Sequence, residues 1–199
     1  MSTTAAPHPA STLMQRPSAR QRLLDAATDL FYGEGIHSVG VDRIIGRAGV
    51  TRATMYNQFE GKEGLVLAYL RGEDEQLRGL FTQATQVSSD PAVLLDLVIA
   101  GIEADIRDRH TRGCPFINAA AEYPGEGPVR ELIAAHREWF RSTLEQLAAA
   151  AGLSESDEVA ASLVLLRDAA LVGCYLDGQD RVAPAFARTA RTAIAAHRR

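Results

Sequence analysis

Thr51, Arg52, Thr54, Tyr56 and Asn57 place five polar side chains within seven residues. At that spacing they form no proton-transfer pair. What they share is hydrogen-bonding reach: two short hydroxyls, a guanidinium fork, a phenol and an amide, the groups that dock on phosphates and base edges. Three other residues invite different chemistry. Cys114 would act as a nucleophile only beside a base in an electropositive setting, and the pattern offers neither. His110 and Cys114 stand four apart, as two metal ligands on one helical face would, but Gly113 and Pro115 break that face. His136 falls on the apolar side of a helix, where a hydrogen-bonded core histidine is the ordinary outcome. No catalytic residue, metal site or cofactor is expected, and the chemistry to be explained is recognition.

The elements that must position those five residues lie in Val41–Phe59, which reads as two short helices joined by a tight turn. Ile44, Ile45 and Ala48 share one face at helical spacing. Gly49 stops the first helix, because the residue there takes positive φ. Val50 anchors the turn, and Thr51 caps the second helix with its hydroxyl. Ala53, Met55 and Phe59 are expected to point inward, leaving Arg52, Thr54, Tyr56 and Asn57 outside. Upstream, Ser18 and Gln21 form an S-x-x-Q capping box. Behind it Leu23, Leu24, Ala27, Leu30 and Phe31 make an apolar stripe, so a first helix is expected at about 18–33, closed by Gly33 and Gly35. Three such faces can share one small core. The plainer alternative is a helical hairpin in an ordinary all-α domain.

Downstream the pattern stays helical. A long helix opens at Gly61 and Lys62 and runs to Val87, and Asp90–Pro91 caps and starts the next, to about Arg109. A proline-rich stretch follows, with room for one turn over Ile117–Glu122. Further helices are expected from Pro128 to about Ala151, Ser154 to Leu176, and Pro184 to about His197. No period-two alternation appears, so the fold class is all-α with about nine helices. The domains expected are a disordered arm (1–17), a helix-turn-helix DNA-binding head (18–62) and a larger helical domain (63–199).

Composition agrees. Hydrophobic content of 46% with 23% charged residues is that of a globular protein. No uninterrupted apolar run suggests a membrane span, and the first residues lack the pattern of a secretory signal. A cytoplasmic protein with reduced Cys114 and Cys174 is expected. The net charge of −4 does not exclude DNA, because residues 1–62 carry seven basic and five acidic side chains and the remainder 14 and 20.

With that order laid out, the sequence resembles the TetR family of bacterial transcriptional repressors. The resemblance rests on Leu30–Phe31–Tyr32–Gly33, Val41 to Ile44, Ala48–Gly49–Val50, Thr54–Met55–Tyr56, Phe59, and Lys62–Glu63 with Leu65. It covers about 18–66. Gly113–Cys114–Pro115–Phe116 is similar to one C-terminal type within that family. Gly40 departs from the usual Thr or Ser cap of the second helix, and Gln58 from the usual His.

The resemblance implies that Arg52, Thr54, Tyr56 and Asn57 meet DNA from the third helix, Arg52 at a guanine edge or a phosphate. Thr51 and Lys62 would bind phosphates at helix N-termini. Lys62 is the only lysine in the chain. The resemblance also implies a small-molecule pocket, with Phe81, Cys114, Phe116, Asn118, His136, Trp139, Phe140 and Tyr175 as candidate linings, each equally open to plain core packing. Small residues of the last two helices, among them Ala160, Ala170, Ala183, Ala187 and Ala190, suit either a homodimer interface or packing within one chain. The function expected is a homodimeric repressor on a palindromic DNA operator, released by an inducer. The alternatives are a constitutive or non-specific DNA-binding protein and a thiol-dependent helical enzyme.

Overall fold

A computed structural model of the protein describes residues 17–198. The arm expected over 1–17 therefore lies, except for Pro17, outside the described residues. Among the described residues there are nine α-helices and no strands: α1 (Ala19–Glu34), α2 (Val41–Ala48), α3 (Arg52–Phe59), α4 (Lys62–Val87), α5 (Pro91–Asp108), α6 (Pro115–Glu122), α7 (Pro128–Ala150), α8 (Ser156–Asp177) and α9 (Gln179–Ala196).

The first three helices form the head. Ser18 accepts from the Gln21 N–H at 3.1 Å, as a cap should. The reciprocal half of the expected box is missing, because the Gln21 amide turns outward to the Asp25 carboxylate, a charged acceptor one turn on, at 2.8 Å. Gly49 ends α2 in the left-handed conformation, and Thr51 caps α3 by accepting from the Thr54 N–H at 3.1 Å. Leu23, Leu30, Ile44 and Met55 are fully buried between the three helices. Ala53, expected inward, is exposed. An eight-residue helix needs only Met55 and Phe59, four apart, to seat one face.

Behind the head, α4 through α9 form a bundle whose core is continuous with it, and Phe31 of α1 meets Tyr69 of α4 with ring centroids 6.0 Å apart. α6 is a full two-turn helix where a single turn was expected. α9 begins at Gln179, not Pro184. Pro184 sits one turn inside, where a missing N–H forfeits a single helical bond, and Gly178 at φ +87° supplies the bend before it. The five alanines of α8 and α9 named from sequence pack within the chain: Ala160, Ala170, Ala183, Ala187 and Ala190 are buried. α8 has the length and hydropathy of a membrane-crossing helix, with a mean hydropathy of 1.7 over its most apolar window. Arg167 and Asp168 interrupt it, and its inner face packs on α7 and α9.

Candidate functional site

α3 presents Arg52, Tyr56 and Asn57 to solvent, with Thr54 half-buried. Thr51 is committed to the cap, and its hydroxyl shares a further hydrogen bond with Thr54 Oγ1 at 2.8 Å. The three arginines of α2 and α3 are all paired with carboxylates: Arg43 with Glu34, Arg47 with Asp29, and Arg52 with Asp42. Each pair is exposed, so it is weak, and a guanidinium can leave it at small cost when an anion arrives. Lys62 stands at the first turn of α4. Its cap, Gly61, has no side chain to offer, so the first N–H groups of the helix stay free beside the ammonium. Partial burial lowers the Lys62 pKa, opposed by the carboxylate of Glu122. A surface of short hydrogen-bonding groups flanked by a capless helix N-terminus and releasable cations has the chemistry to meet a phosphate backbone and the base edges between its strands.

Two clamps tie this head to the bundle. Glu122, the last residue of α6, holds the α1–α2 loop: the Ile36 N–H donates to Oε1 at 2.8 Å and the His37 N–H to Oε2 at 2.5 Å. Gly35 makes this possible, since at φ +94° it turns the chain, and a Cβ there would lie 3.3 Å from Glu122 Oε1. The second clamp is Tyr32 at the end of α1. Its hydroxyl accepts from the Arg112 N–H at 2.8 Å and donates to the Gly113 carbonyl at 3.1 Å, while Arg112 Nη1 donates to the Tyr32 carbonyl at 2.7 Å. Burial pushes the Tyr32 phenol up to about 12, so it keeps the proton it donates.

His110 lies edge-on to Tyr32, 5.7 Å between centroids. Its Nδ1 meets Asp105 Oδ2 at 2.8 Å and its Nε2 meets Glu73 Oε2 at 3.2 Å. Burial works against charging this ring, but the bonds to Asp105 and Glu73 outweigh it, and the His110 pKa is raised. Asp105 in turn belongs to the wall of a cavity of about 270 Å³ between α4 and α5. Leu77, Phe81 and Ala84 of α4 face Val98, Gly101 and Ile102 of α5 across it, and Arg167 of α8 closes its inner end.

Of the eight candidate linings, Phe81 alone forms this wall. Trp139 and Phe140 stand behind it, 5.4 and 6.3 Å from its ring centroid. Phe116 stacks flat on His136, 3.6 Å between centroids, and His136 Nδ1 meets Asp74 Oδ1 at 2.8 Å. Burial first, then the charge of Arg167, lowers the His136 pKa to about 4, so the ring is neutral and donates its Nδ1 proton to Asp74. Cys114 is buried beside Arg167, and Asn118 holds the Arg112 carbonyl, so it supports the Tyr32 clamp instead of facing the cavity. Tyr175 is 60% exposed on the outer face of α8. Glu122, Tyr32, Asp105, Gly101 and Arg167 were not found from sequence. Glu122 and Tyr32 act across 80 or more residues, and no local spacing marks Asp105, Gly101 or Arg167 as facing a cavity.

Comparison with known proteins fits this geometry. A family model described as bacterial regulatory proteins, tetR family, matches residues 23–69. The crystal structure of a TetR-family transcriptional regulator from Streptomyces coelicolor superposes with a TM-score of 0.86 at 40% identity, over 90% of this chain and 95% of that one. The HTH-type transcriptional regulator LmrA of Bacillus subtilis is 29% identical over 76% of this chain and 82% of its own. The HTH-type transcriptional repressor KstR2 of Rhodococcus jostii is 28% identical over 69% of this chain and 63% of its own.

Proposed function

The chain belongs to the TetR family of bacterial DNA-binding transcriptional regulators, and from that premise we propose that it is a ligand-responsive repressor, working as a homodimer on a palindromic operator. The observation that carries the reading is the continuous contact from cavity to head. Asp105 in the cavity wall bonds His110, His110 abuts Tyr32, and Tyr32 locks the end of α1 to the α5–α6 loop. A molecule that fits the cavity better in one head position than in the other shifts the heads between those positions, through no other agency than that difference in affinity.

Thr51, Arg52, Thr54, Tyr56, Asn57 and Lys62 are the proposed DNA contacts. Two heads enter successive major grooves, with half-site centres about 34 Å or a multiple apart. The proposed dimer face is not the alanine ridge, which is used inside the chain. It is the outer stripe of α8: Ala161, Leu165, Ala169, Val172 and Leu176 recur at helical spacing, all exposed, with Leu165 at 69% and Leu176 at 72%.

The test is a selection of bound fragments from random DNA with the purified chain, followed by release of the selected site by metabolites. A single palindrome, a two-protomer complex and release by at least one compound are expected. Leu165→Glu should give a folded monomer that has lost the palindrome. Equal affinity for every duplex, or a monomeric wild type, would overturn the proposal.

A further inference from the structure

The chemical class of the cavity's occupant can be read from its charges, on the footing that the cavity is the inducer site proposed above. Its walls are aliphatic and aromatic except for the uncharged amide of Gln83 and for Asp105 and Arg167, the two charged residues of the lining. The carboxylates around it are already matched. Asp105 and Glu73 share His110 and Arg109, with Arg109 Nη2 2.6 Å from Glu73. Asp74 is taken by Arg78 at 2.7 Å, and Asp168 Oδ2 by Arg137 at 2.8 Å.

Arg167 is what remains. Its side chain is only 7% exposed, and its carbon Cζ lies 4.9 Å over the Phe140 ring. Nη1 has two long contacts, 3.5 Å to Asp168 Oδ1 and 3.9 Å to Cys114 Sγ. Among the described residues Nε and Nη2 make no hydrogen bond, and neither is fully sealed from solvent. A guanidinium this deeply placed, with two donors uncommitted and its side chain on the cavity wall, is set to receive an anion. Its planar fork matches the two oxygens of a carboxylate.

Size narrows the tail. A cavity of roughly 150 Å³ holds benzene, so one of about 270 Å³ holds about ten non-hydrogen atoms. We propose that this cavity takes an amphipathic carboxylic acid of that size, its carboxylate gripped by Arg167 and its apolar tail lying between α4 and α5. Gly101 leaves the tail its room, because a Cβ built there meets nothing within 4 Å.

Calorimetric titration of the full chain with octanoate and with octanamide, its neutral counterpart of equal size, tests this. Octanoate should bind wild type roughly ten- to a hundred-fold more tightly than octanamide, the worth of charge-assisted bonds. Arg167→Met should erase that preference by weakening octanoate far more than octanamide, and Arg167→Lys should keep part of it. If Arg167→Met does not melt cooperatively, the acid-to-amide ratio in wild type decides alone. Gly101→Phe should block both compounds. Equal binding of acid and amide, or unchanged octanoate binding in Arg167→Met, overturns the carboxylate assignment. Operator release by octanamide but not by octanoate sinks the assignment and spares the inducer site. If neither compound binds, the assignment falls, and the inducer site falls with it only when no metabolite releases the operator.

Discussion

α4 is one unbroken helix of 26 residues whose two halves live in different surroundings. In the half next to the head, Leu65, Val66, Tyr69 and Leu70 are buried against α1 and the bundle. In the far half no side chain is fully buried, and Leu80 and Val87, the latter 74% exposed, stand at the cavity. The near half is therefore close-packed and resists displacement, while the far half has space to be filled. A rigid helix of this length spans about 39 Å, so movement of its loosely held end is delivered to its tightly held one. One helix thus serves as both anchor and receiver, and its packing tells which half is which.

The sharpest way to break this contrast is to truncate each half in turn. Leu70→Ala should cost about 2–5 kcal/mol of stability, as fully buried leucines do. Leu80→Ala should stay within about 0.5 kcal/mol, because the side chain is already half in solvent. Urea unfolding of both variants measures the difference, and equal losses would abolish the distinction.

Acid separates the two buried histidines next. The folded pKa of His136 is about 4, below its ordinary 6.5, so as pH falls the unfolded chain takes up a proton that the folded chain refuses. Its contribution is whole above pH 6.5 and drains away towards pH 4. Between pH 6.5 and 5 wild type should lose about 2 kcal/mol more than His136→Gln in urea titrations. His110, with its pKa raised, runs the other way: its contribution is whole below pH 6.5 and is lost as pH rises through the folded value.

Glu122→Ala strips two loop amides of their acceptor, and a loss of about 1–3 kcal/mol is expected by thermal or urea melting. It should also weaken the effect of any inducer on operator affinity more than it weakens inducer binding. Smaller effects belong to the DNA surface. Lys62→Ala should reduce the log–log salt slope of binding by about 0.9, one phosphate's worth, in titrations at several ionic strengths. Asp42→Asn frees Arg52 and should tighten operator binding by a few-fold, since exposed pairs of this kind are worth about 1 kcal/mol or less.

The head was legible from sequence because its determinants are local. A cap lies three residues from what it caps, a glycine at the residue that needs positive φ, and the stripe of α1 at fixed intervals. The same reasoning misplaced Ala53, since one small apolar residue on a two-turn helix can face either way. It started α9 at Pro184 because it weighed a proline's missing donor without the position inside the helix. It left the alanines of the last two helices open between a partner chain and packing within one chain, and for Ala160, Ala170, Ala183, Ala187 and Ala190 it is the second. The cavity was least legible. Periodicity marks faces that are apolar, and Leu77 and Leu80 obey it, but nothing in their spacing says that the space opposite is unfilled. Arg167 reads as a surface charge until α4, α5 and α7 are folded around it.

Glu122 grips the α1–α2 loop through the main-chain amides of Ile36 and His37, and the only loop side chain paired with it is the exposed His37 ring, 3.8 Å from Oε2. The hinge is consequently indifferent to much of the sequence on the head side. Mutation can rewrite the exposed positions of α3 for a new target while the joint that steers them goes on working, so binding preference and responsiveness are free to evolve apart.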